Sequence, residues 1–73
     1  RASLDAAIES LPPKCREVFK LSYLEDLSNR EISERLGISQ STVENHIYSA
    51  LKQLRQKLSK EQLLLLLALL FMR

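Results

Sequence analysis

Apolar residues recur along most of this chain at helical spacing, and each stretch is bounded by a stop or start signal. Leu4, Ala7, Ile8 and Leu11 fall at i, i+3, i+4 and i+7, the stripe of a short amphipathic helix, with Ser3 as its N-cap. Pro12 and Pro13 interrupt it. Residues before a proline are pushed out of helical dihedrals, whereas Pro13 itself suits the first turn of a new helix, where its missing N–H has no partner to lose. A second helix is predicted from Pro13 to about Leu24, with Cys15, Val18, Phe19 and either Ser22 or Tyr23 on its inner face and Lys14, Arg16, Glu17 and Lys20 on the other.

Ser28 followed by Glu31 is a capping box that opens a third helix, with Ile32 and Leu36 as its apolar positions. Gly37, the sole glycine, falls where that helix must stop in a left-handed conformation costing other residues about 1 to 2 kcal/mol. A fourth helix is predicted from about Ser39 to Leu58. Two caps fit its start: Ser39, or Ser41 in a second capping box with Glu44. Val43, Ile47, Ala50, Leu51, Leu54 and Leu58 lie within an arc of roughly 100°. On the opposite side the wheel places Ser41, Asn45, Tyr48, Ser49, Lys52 and Gln56, flanked by Glu44 and Arg55 on one side and Thr42, His46 and Gln53 on the other.

After Leu58 the periodicity ends. Ser59 with Gln62 announces a fifth helix, and residues 63–72 follow without a polar side chain. Ten helical residues extend about 15 Å against a hydrocarbon core of about 30 Å, so this run does not span a bilayer. It must be buried by protein or lie on something, and three roles fit: completing the core, masking a partner-binding face of the same chain, or pairing two copies through Leu63 to Met72.

The expected fold is therefore all-α, a small bundle of four to five helices containing a helix-turn-helix (residues 1–58), with an extra Leu-rich C-terminal helix (residues 59–73). Seventy-three residues allow one domain of modest core. The chain begins at Arg1 without a charged, apolar and small-residue leader, and is expected to be a piece of a longer protein whose missing part lies upstream. One cysteine excludes an internal disulfide and fits a reducing cytoplasm. With one histidine there is no set of ligands at metal spacing, so no metal and no cofactor is expected. Cys15 reads as core rather than nucleophile, and His46 as a helix-surface residue rather than a ligand. Nothing resembles a phosphate loop or a nucleophile–base pair, so an enzyme is not expected.

Net charge is only +2, but it is unevenly placed. Residues 40–60 carry Lys52, Arg55, Lys57 and Lys60 against Glu44, a net +3, while residues 1–39 are net −1. A Gly-centred turn leading into a basic amphipathic helix is the pattern of a DNA reader. Asn45 suits bidentate pairing with adenine, Glu44 can accept from cytosine N4, and Thr42 or Tyr48 can touch a thymine methyl or the backbone. Arg30, Lys52 and Arg55 are the phosphate candidates.

LPPKCREVFKLSY (Leu11 to Tyr23) followed by LSNREISERLGISQSTVENHIYSALKQLR (Leu27 to Arg55) resembles the C-terminal domain, region four, of bacterial sigma factors, most closely the extracytoplasmic function (ECF) group. The resemblance covers about Leu4 to Leu58. It implies a winged-helix-like, region-four type of helical domain that binds the promoter −35 element in the major groove and engages the β-flap of RNA polymerase core, with an anti-sigma factor as a further partner. The face that the Leu-rich tail would mask is then the polymerase-binding one. By position, the implied base- and phosphate-facing sites are Ser41, Thr42, Glu44, Asn45, His46, Tyr48 and Ser49, with Arg30 or Glu31 on the supporting helix; Arg30 and these seven, together with Ser39, Gln40, Lys52 and Arg55, make up the candidate DNA-binding set. Many relatives carry more arginine there, which implies a weaker electrostatic contribution here. The segment from Leu27 also fits the output domain of LuxR-type response regulators, but the Pro pair and Cys of LPPKCREVF look like region four. A self-associating helical module, held by the Leu-rich tail, is the alternative from another class.

Overall fold

The computed structural model describes residues 4–71, and among them there are five helices and no strand. They are α1 (Leu4–Glu9), α2 (Pro13–Tyr23), α3 (Asn29–Leu36), α4 (Gln40–Lys57) and α5 (Lys60–Phe71). The expected cap Ser3 and the end of the tail at Met72 lie outside the described residues.

Each boundary has a local cause. Pro12 sits in an extended conformation (φ −55°, ψ 149°) and Pro13 occupies the first turn of α2, while the Pro12 carbonyl accepts from the Arg16 N–H at 2.8 Å. Between α2 and α3 the chain turns through Asp26 at φ 58°, a left-handed position held by an aspartate, one of the few side chains that tolerate it. Ser28 and Glu31 form the reciprocal box, with the Glu31 N–H donating to Ser28 Oγ at 3.1 Å and the Ser28 N–H to Glu31 Oε1 at 2.9 Å. Gly37 ends α3 at φ 68°, ψ 34°, and the N–H of Ile38 reaches back to the Ser33 carbonyl at 3.1 Å.

At the start of α4 the structure chooses between the two caps. Ser39 is the N-cap, its Oγ accepting from the Thr42 N–H at 3.0 Å, so Ser41 and Glu44 do not form a capping box. Ser41 comes too late because Gly37 and Ile38 have already closed the turn, leaving Ser39 as the last residue in extended conformation. Leu58 breaks α4 with an extended backbone (φ −104°, ψ 153°), and Ser59 and Gln62 cap α5 reciprocally.

Two clusters make up the core. Val18, Ile32 and Val43 are completely buried where α2, α3 and α4 meet, with Leu21, Leu27, Leu36, Ile38 and Ile47 packed around them. Ala7, Ile8, Leu11, Cys15, Phe19, Ala50, Leu54, Leu58 and Leu66 form the second, which joins α1 and α5 to the opposite sides of α2 and α4. The six-residue stripe of α4 is thus divided: Val43 and Ile47 serve the helix-turn-helix, while Ala50, Leu51, Leu54 and Leu58 serve the other end. Phe19 and Tyr23 stack at 5.8 Å inside the second region, and Lys20 and Arg16 tie α2 to Glu9 at the end of α1.

Candidate nucleic-acid interface

The stripe that buries α4 leaves its opposite side to solvent. Gln40, Ser41, Glu44, Asn45, Tyr48, Lys52, Arg55 and Gln56 are all exposed, Tyr48 to 71%. At 100° per residue, those from Ser41 onward share a single face of an 18-residue helix about 27 Å long. Its charge is graded along that length. Residues 40–49 carry one carboxylate, Glu44, and no Lys or Arg, whereas Lys52, Arg55 and Lys57 stand on the second half. The first half can present hydrogen-bonding groups to base edges while the second meets phosphate.

Three of the sequence candidates are less exposed and make contacts within the domain. Thr42, His46 and Ser49 are half-buried on the flank of α4. Thr42 Oγ1 lies 2.8 Å from the Oγ of Ser39, so the two hydroxyls of the cap satisfy each other. His46 Nδ1 lies 3.6 Å from Cys15 Sγ, a contact between α4 and α2. Ser49 Oγ accepts from Gln53 Nε2 at 3.4 Å, one turn along the same helix. Arg30 stands apart on α3, exposed, its guanidinium 3.4 Å from Glu34.

Asn29 is an addition. With Glu44, Ile47, Tyr48 and Leu51 it lines a hollow of about 200 Å³ between the start of α3 and the exposed face of α4. Its only signal in the sequence is its place beside Arg30 at the opening of the supporting helix. Glu31 is exposed, and its carboxyl lies below the ordinary value of 4.5 because the Ser28 N–H and hydroxyl hold the ionised form. The residue is thereby committed to the cap of α3. Among the described residues no group of three His, Cys, Asp or Glu is placed to hold a metal ion, and no helix is long and apolar enough to cross a membrane.

The helix pair and the segment before it can be set against known families. The family model described as sigma-70, region 4, matches residues 1–54, which takes in α1, α2, α3 and α4 as far as Leu54. The chain belongs to the sigma-70 region 4 family. Its relatives include the ECF RNA polymerase sigma factor SigE of Mycolicibacterium smegmatis, 42% identical over 81% of this chain and 23% of that protein. The RNA polymerase sigma factor SigV of Bacillus subtilis is 38% identical over 82% of this chain and 36% of its own length. The ferric citrate uptake sigma factor FecI of Escherichia coli is 39% identical over 67% of this chain and 28% of its own. The region 4 domain thus spans about a quarter to a third of the length of these relatives. No solved structure matches it. The match runs through LPPKCREVF, the segment that separates region 4 from the LuxR-type output domain, and nothing supports the latter.

Proposed function

We propose that this region 4 domain is the promoter-reading arm of an ECF-type sigma factor, with α4 placed in the major groove of the −35 element. The observation that carries the reading is the exposed face of α4, uncharged or acidic over its first half and cationic over its second, delivered by a Gly37 turn from a capped supporting helix. Asn45 and Glu44 are the base readers, with Gln40, Ser41 and Tyr48 beside them. Lys52 and Arg55, and Arg30 once released from Glu34, are the phosphate contacts. Ser39 and Thr42 hold the helix start, and His46 and Ser49 set the flank along which the helix lies.

In this role the domain transforms no substrate and works in the cytoplasm, beside the RNA polymerase that its relatives' names carry. The core enzyme, through its β-flap, is the principal protein partner, and an anti-sigma factor is a second. The exposed leucines of α5 call for a further covering partner, either such a protein or another copy of the chain.

The test separates reading from attraction. Asn45→Ala is expected to lose about 1 to 3 kcal/mol on a −35 duplex at one base pair and nothing on scrambled DNA. Lys52→Ala is expected to weaken both duplexes alike and to reduce the slope of log affinity against log salt by about one. Fluorescence anisotropy across a salt series measures both. Equal losses on specific and scrambled DNA for the two variants would overturn the division of labour.

A further inference from the structure

α5 buries one side and leaves the other bare. Leu66 is 2% exposed and Leu70 packs beside it, whereas Leu64, Leu65 and Leu69 are 57%, 68% and 60% exposed. Those three share a face with the exposed Ala68, which stands between them on the helical wheel. The surface continues onto the end of α2, where Leu24 is 60% exposed. Between the two helices lie two hollows. One of about 450 Å³ is lined by Tyr23, Leu24, Asp26 and Leu69, and a second of about 270 Å³ by Leu4, Tyr23, Gln62, Leu65, Leu66 and Leu69.

We propose that this face receives a second copy of the chain in a two-fold arrangement, α5 against α5. The inference rests on the reading above that the exposed leucines are a partner surface, and it names the partner. Charge is the first argument. The ionised residues of α5, Lys60 and Glu61, are both in its first turn and of opposite sign, and the hollow beside the leucines adds a single carboxylate, Asp26, so the face offers little to a strongly acidic or basic partner. Shape is the second. An isologous interface needs projection and recess on the same patch, so that each copy fills the other. Leu64 and Leu65 project, Leu65 and Leu69 border the recess that they share with Tyr23 and Leu4, and the exposed Ala68 between the leucines lets two helix backbones approach closely.

Area sets the strength. Four leucines at these exposures make a patch on the order of 400 Å², within the range of functional patches. Two such patches with their Tyr23 and Leu4 rims bury roughly 1,000 Å² in total, the low end for specific interfaces. An interface of that size belongs with weak, transient pairs, so the dimer is a reversible one. Leu63 and Leu67 stand on the other side of α5, in a groove with Tyr48, Leu51, Lys52 and Arg55, so pairing leaves the exposed face of α4 open in both copies.

Sedimentation equilibrium of the 73-residue chain, from low micromolar to millimolar concentration, tests this. The wild-type chain is expected to pass from monomer to dimer, and the double variant Leu65→Glu, Leu69→Glu to remain monomeric with an unchanged thermal midpoint. Should that variant fail to fold, Ala68→Cys replaces it: mild oxidation is expected to link copies of this variant several-fold faster than copies carrying Gln56→Cys on α4. A monomeric wild-type chain throughout, equal dimerisation of the glutamate variant, or equal crosslinking of the two cysteine variants overturns the proposal. So does a monomeric chain whose capture of RNA polymerase core is lost with the glutamates, which assigns the face to polymerase. Binding of the same variants to a −35 duplex, measured as dilute monomers, reads the promoter function separately.

Discussion

α4 and α5 are neighbouring helices rich in leucine, and they relate to the rest of the molecule in opposite ways. α4 repeats its apolar residues with helical period, so burial of Val43, Ala50 and Leu54 fixes which side faces outward. α5 is apolar nearly all round, and only Leu66 among its described side chains is fully buried. A periodic helix carries its own orientation. A uniform one borrows it from whatever it meets, which for α5 is the cap made by Ser59 and Gln62 and the space left between α1, α2 and α4.

The largest test of this contrast is Leu54→Ala. Leu54 is completely buried among the helices of the second cluster, and its truncation is expected to cost about 2 to 5 kcal/mol. That is a large share of the roughly 4 to 10 kcal/mol expected for a domain of this size. Urea denaturation followed by circular dichroism measures it. A sharper test lies within α5 itself: Leu66→Ala is expected to cost about 2 to 4 kcal/mol, but Leu65→Ala less than about 0.5 in dilute solution. If the two adjacent leucines cost the same, α5 has no fixed side and the contrast fails.

Next in size is the choice of cap. Ser39→Ala is expected to lose about 1 kcal/mol, whereas Ser41→Ala, at an exposed position inside α4, is expected to be neutral in thermal melts. The smallest effect is that of acid. The Glu9 carboxyl is held below its ordinary value of 4.5 chiefly by the hydrogen bond from Lys20, and that of Glu31 by Ser28. Both have a lower value folded than unfolded, so their stabilisation is present above pH 4.5 and is lost as the pH falls through the lowered values. Glu9→Gln is expected to flatten this acid limb of the melting temperature slightly.

What the sequence made legible follows the same line. Helix starts and stops were readable because Pro12–Pro13, Ser28 with Glu31, Gly37, and Ser59 with Gln62 act within a few residues of themselves. The cap of α4 was not, since Ser39 and Ser41 both satisfy the local rule and only the length of the preceding turn separates them. The turn at Asp26 carries no glycine to announce its positive φ. The outward face of α4 was legible as a set, but not the turning of His46 toward Cys15, because that depends on how α2 crosses a helix 31 residues away in sequence. Which side of α5 is bare could not be read from ten consecutive apolar residues.

The division of α4 between two clusters has a consequence for how the domain melts. With Val43 in one cluster and Ala50 and Leu54 in the other, and Val18 and Phe19 of α2 divided in the same way, neither cluster can come apart without removing support from a helix that the other needs. The domain is built as one cooperative unit. Amide hydrogens in the middle of α4 should therefore exchange only through global opening, at the same rate as those in the centre of α2. A lesion at Leu66, far from the turn, would then reach the promoter-reading end as a shortened lifetime of the whole folded state.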